Sequence, residues 1–118
     1  MDHSHPTWQQ EFDRELEAGY AARASGLEGK ARVCARRSLG IVIEEYFHRL
    51  DLPSPGTSIQ EGIAALKDLD TVPPRTREVL DHFLVKVDEE YHLPIDADLL
   101  AETTWLADQL LVKENNGP

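Results

Sequence analysis

The fold follows from one stretch, 27-LEGKARVCARRSLGIVIEEYFHRL-50. At 100° per residue, Leu27, Ala31, Cys34, Ala35, Leu39, Ile41, Val42, Ile43, Tyr46, Phe47 and Leu50 cover well over half the circumference of a helix. A helix apolar over so broad an arc must be packed on several sides, so it predicts the central helix, helix two, of an all-α domain. Gly40 costs about 1 kcal/mol of helix propensity in its middle, and a close approach by a neighbouring helix would account for it.

Thr7 to Arg23 reads as a preceding helix, with Trp8, Phe12, Leu16 and Tyr20 recurring every four residues. Thr7 and Gln10 form a capping box at its start, and Ser25-Gly26 is a stop signal. After helix two, Leu52-Pro53-Ser54-Pro55-Gly56 cannot continue a helix, because each proline removes a donor and disfavours helical geometry before it. Ser58 and Glu61 form a second capping box ahead of a short helix three carrying Ile59, Ile63, Leu66 and Leu69. Pro73-Pro74 pre-set helix four, predicted to run to about Tyr91 and to bury Val79, Leu80, Phe83, Leu84, Val87 and Tyr91. Asp96 is the expected N-cap of helix five, whose face carries Leu99, Leu100, Leu106, Ala107, Leu110 and Leu111.

No segment has the period-two alternation of a strand. The expectation is a single-domain bundle of about five helices over residues 7–112, with an N-terminal arm at 1–6 and a frayed tail at 113–118. Five short helices around a broadly apolar one leave apolar faces to spare, so a homodimer is expected. Trp105 and Val85 fall off the main stripes of helices five and four and are the interface candidates.

The 118 residues carry 12 basic and 22 acidic side chains, a formal charge of −10. This balance disfavours nonspecific nucleic-acid binding, which works through Lys and Arg displacing counterions. The basic residues are concentrated between Arg23 and Arg37, five against the single acid Glu28. Within that run, Arg32 and Arg36 lie four apart beside the apolar arc. They either lay their stems along the core edge and pair with carboxylates of helix one or five, or form an anion site for a nucleotide or RNA phosphate. No stretch reaches the roughly 20 apolar residues of a membrane span, and the first seven residues lack the parts of a signal peptide. The single Cys34 excludes an internal disulfide, falls on the apolar arc as a core thiol, and fits a reducing, cytoplasmic setting.

Two Glu-x-x-His pairs, Glu45 with His48 and Glu89 with His92, match the spacing used by carboxylate-bridged di-metal bundles, with Glu15 and Glu102 as possible further carboxylates. Both pairs fall at helix ends, and Glu89 and His92 lie off the apolar arc, so solvated turns are the simpler reading and no cofactor is expected. Helix four carries Arg77 and His82 with four residues between, and Arg75 precedes the same histidine by seven positions, nearly on one face and about 10 Å away. An arginine can hold a phosphate while a neutral histidine moves a proton near pH 7, the pairing needed for 2′-hydroxyl attack in RNA.

The helix-two segment from Gly29 to Phe47, the short capped third helix and the Arg-x4-6-His spacing of helix four together resemble the HEPN superfamily of small helical bundles. The resemblance implies a homodimer. It also implies one of two activities: a noncatalytic interaction or regulatory module, including partners of nucleotidyltransferases, or a metal-independent endoribonuclease. In the second case Arg77 (or Arg75) and His82 of two protomers would meet in a dimer cleft, and RNA would be the partner.

Overall fold

In a computed structural model, residues 7–86, 95 and 97–111 are described, and they form an all-α bundle. The helices are α1 (Trp8–Ala24), α2 (Glu28–Arg49), α3 (Ile59–Lys67), α4 (Pro74–His82) and α5 (Leu99–Leu110). The expected N-terminal arm, C-terminal tail, Val87, Glu89, Tyr91, His92 and Asp96 lie outside the described residues.

The local signals act as the sequence implies. Thr7 Oγ1 accepts from the Gln10 amide at 3.1 Å while the Gln10 side chain accepts from the Thr7 amide at 2.9 Å. Ser58 and Glu61 reproduce this reciprocal box at the start of α3, and Pro73 stands as N-cap with Pro74 in the first turn of α4. Ser25 caps the end of α1, and Gly26 turns the chain with φ 79°.

The three-residue turn folds α1 back along α2, and α5 and α3 pack on other sides of α2, which makes it the central helix. Ala31, Ala35, Leu39 and Ile43 of α2 are buried in one cluster with Ile63 and Leu66 of α3, Leu80 of α4, and Leu99, Leu100 and Leu106 of α5, while Val42 packs with Phe12, Ala107 and Leu111. Each large aliphatic chain so buried stabilises the fold by roughly 1.5–3 kcal/mol relative to exposure. The buried hydroxyls are satisfied: Ser38 donates to the Cys34 carbonyl at 3.0 Å, and Thr103 lies 3.2 Å from the Ala35 carbonyl and 2.8 Å from that of Leu99. Cys34 is a core thiol at 3% exposure.

Several expectations are corrected. Helix four stops at His82 rather than near Tyr91, and Leu84 is 40% exposed instead of buried. A long-range contact gives the reason: Arg36 of α2 donates from Nε to the Phe83 carbonyl at 3.3 Å and from Nη2 to the Val85 carbonyl at 3.5 Å, partnering chain that has left the helix. The N-cap of α5 is Asp98, whose Oδ1 accepts from the Ala101 amide at 3.2 Å. Leu27 and Leu50, at the two ends of the apolar arc, are 52% and 41% exposed because the bundle does not reach past the ends of α2.

Among the described residues Gly40 does not receive a neighbouring helix; a Cβ built there meets nothing within 4 Å. The close approaches fall elsewhere. At Gly19 a Cβ would lie 2.6 Å from Leu100 Cδ2 and 3.1 Å from Cys34 Cβ, and at Gly62 it would lie 3.3 Å from Ile43 Cδ1.

Candidate functional site

Arg77, one half of the expected RNA-cleaving pair, is held by backbone. Its Nε donates to the Val72 carbonyl at 3.0 Å, Nη2 to the Leu69 carbonyl at 2.7 Å, and Nη1 to the Lys67 carbonyl. These oxygens belong to the end of α3 and the turn after it, where helical carbonyls lack intrahelical donors. The guanidinium fork supplies the donors for all of them, a geometry lysine cannot copy. Alongside, Lys67 pairs with Asp81 at 2.5 Å and ties α3 to α4. The alternative Arg75 is largely exposed and pairs with Glu78 on its own helix at 2.5 Å.

His82 faces the opposite neighbour. Its Nδ1 sits 2.9 Å from both carboxylate oxygens of Glu102 on α5, with about 31% and 22% of the two side chains exposed. Arg77 and His82 therefore turn to different elements, α3 and α5, and are not brought together within one chain.

The candidate anion pair is built into the interior. Arg32 is only 9% exposed, and Arg36 holds the carbonyls that follow α4. Burial, reinforced by the nearby Arg32 charge, holds the Arg36 guanidinium below its usual pKa. The expected carboxylate partners from helix one or five do not appear in the contacts of Arg36, whose acceptors are main-chain oxygens.

Of the proposed metal ligands, Glu45 is engaged by Arg49 at 2.9 Å, and that arginine also donates to the Leu111 carbonyl at 2.7 Å and lies over the Trp8 ring. His48 is exposed, and Glu102 is taken by His82. Among the described residues no group of three or more His, Cys, Asp or Glu side chains is arranged to hold a metal ion. Of the two interface candidates, Trp105 packs partly buried against the main core, and Val85 is half-buried beside the carbonyl that Arg36 holds.

A different surface is concave. A groove of about 1000 Å³ runs along the outer face of α2, floored by Gly40 and Ile41 and lined by Val33, Arg37, Glu44 and His48. Trp8, Glu11 and Glu15 of α1 form one wall, and the Ser54–Ile59 connection with Gly62 forms the other. Gly56, at φ 122°, shapes the second wall, since a Cβ there would strike the Glu61 side chain at 2.6 Å. Glu61 in turn accepts from the Ser58 and Thr57 amides, which lowers its carboxyl pKa. Ser54 donates to Glu44 at 2.6 Å, fastening the loop to the groove floor.

Sequence reasoning missed this groove because it read Ile41 as part of the packed arc and Gly40 as the place where a neighbouring helix comes close. The available signal was the spacing of 33, 37, 40, 44 and 48, which marks one further face of α2 left after the core is assigned. The fold and groove define a helical bundle with an open face on its central helix. Compared with family models, curated proteins and solved structures, the chain finds no match. Among the described residues no helix is long and apolar enough to cross a membrane.

Proposed function

We propose that the chain is a noncatalytic, HEPN-like interaction module that acts as a homodimer in the cytoplasm. The observation that carries this reading is the engagement of Arg77 by the carbonyls of Lys67, Leu69 and Val72. A guanidinium with these acceptors has a structural task and would have to abandon it to bind phosphate. The acidic surface supports the same reading, since it repels RNA at long range.

The ribonuclease alternative has one observation in its favour. A carboxylate on Nδ1 fixes the tautomer of a neutral histidine and leaves the lone pair on Nε2, the arrangement of a general base. Incubating the purified chain with single-stranded RNA in the presence of EDTA separates the two. The interaction-module reading expects no cleavage above buffer; cleavage that disappears in His82→Ala, with the fold retained by circular dichroism, would give the site to catalysis.

A further inference from the structure

The outer face of α2 sets an arginine and a glutamate at equal distances on either side of its midpoint. Val33, Arg37, Gly40, Ile41, Glu44 and His48 fall within an arc of about 100°. Their numbers pair about a point between Gly40 and Ile41: Arg37 with Glu44, and Val33 with His48. Arg37 and Glu44 sit almost on the centre line of the arc, two turns apart.

The two halves of this face also differ in their walls and in their charge. Gly19 stacks on Cys34, so the returning α1 sets Glu15, Glu11 and Trp8 beside the C-terminal half of α2, and Gly62 against Ile43 sets the second wall beside that same half. The N-terminal half, where Val33 and Arg37 line the mouth of the groove, is open to solvent, with Val33 45% exposed and Lys30 and Arg37 exposed. Arg37 has no ion pair or hydrogen bond among the described residues. The open N-terminal half of the helix thus bears positive charge, and the walled C-terminal half bears negative charge.

We infer that the groove is filled by a second copy of this chain, whose α2 lies antiparallel across it with a two-fold axis between Gly40 and Ile41. The partner's basic half lies along the acidic, walled half of the first protomer and the reverse holds by symmetry, as an isologous contact demands. Two Arg37–Glu44 ion pairs close over the axis. Gly40, open on the intramolecular side, is where the two helix backbones come closest. This inference rests on the homodimer reading above and adds the surface and orientation to it.

The test is a charge exchange read by sedimentation equilibrium. Arg37→Glu alters an exposed side chain, Glu44→Arg also releases Ser54 from its carboxylate, and circular dichroism checks that each variant keeps the fold. The wild-type chain sediments as a dimer. Each variant alone faces two like-charge contacts and dissociates about 100-fold more readily, judged from the cost of like-charge juxtaposition. An equimolar mixture of the two variants re-forms the dimer, because every cross-contact is then between opposite charges. Variants that stay dimeric alone, or a mixture that stays monomeric, overturn the interface while leaving a homodimer at another face. A wild-type chain that remains monomeric up to about 1 mM, the affinity limit of a weak complex, overturns both. Neither outcome depends on RNA cleavage, which judges the noncatalytic reading separately.

Discussion

The connection between α3 and α4 and the outer stripe of α2 handle their polar groups in opposite ways. At the connection, the arginine that looks like chemistry is saturated: Arg77 meets three main-chain oxygens, and Lys67 and Asp81 pair beside it. Along the stripe, Arg37 stands without a partner in the described chain, Val33 is exposed, and Gly40 weakens its helix without making room for any intramolecular neighbour. A residue type suited to catalysis says little until its hydrogen bonds are counted. A residue that the fold does not explain points outward.

The largest expected effect breaks the saturated region. Arg77→Ala takes a charged donor from three carbonyls, of which, among the described residues, only that of Leu69 keeps a second donor, the Val72 amide, and should cost about 2–4 kcal/mol, seen as a fall of roughly 10 °C in thermal melting. Arg77→Lys should recover only part of that loss. Arg75→Ala, which removes an exposed pair with Glu78, should stay within about 0.5 kcal/mol. Equal effects at 75 and 77 would remove the distinction between the two arginines.

Glycines sharpen the contrast. Gly19→Val places a branched side chain against Leu100 and Cys34 and should destabilise by about 1–3 kcal/mol in chemical denaturation. Gly40→Ala, made in the Arg37→Glu background so that only the single chain is weighed, should stabilise by up to about 1 kcal/mol. The same Gly40→Ala change in the otherwise native chain should weaken self-association. A loss of stability at Gly40 in the monomeric background would mean that α2 is covered there by the chain itself.

The smallest effect concerns pH. Glu61 has its folded pKa lowered below 4.5 by the Ser58 and Thr57 amides, so its contribution is present above the unfolded value and is lost as pH falls through the folded one. Melting curves between pH 6 and pH 3 should therefore fall more for the native chain than for Glu61→Gln, which keeps an acceptor that does not titrate. Identical pH profiles would show that the second capping box adds no pH-dependent stability.

How much of this was legible follows from how far each cause lies along the chain. The boxes at Thr7–Gln10 and Ser58–Glu61, the proline start of α4 and the burial of Cys34 depend on neighbours a turn or two away, and periodicity and cap chemistry reveal them. The early end of α4 was not legible, because it involves Arg36, 47 positions from the carbonyl of Phe83. The task of Arg77 was hidden for a related reason: its acceptors are main-chain oxygens, which every residue has and no sequence pattern marks. The candidate pair could be named from spacing, but whether its members meet depended on which helix each side chain faces. The α2 groove was obscured because a broad apolar arc gives no sign of which sector the bundle leaves uncovered.

Amide hydrogen exchange followed by mass spectrometry, at concentrations below and above self-association, tests the central claim most directly. The account predicts that added protection falls on peptides covering residues 30–48 and the Ser54–Ile59 wall, while those carrying Val85 and Trp105 exchange at the same rate in both samples. Protection gathered around Val85 and Trp105, with the α2 stripe unchanged, would contradict it.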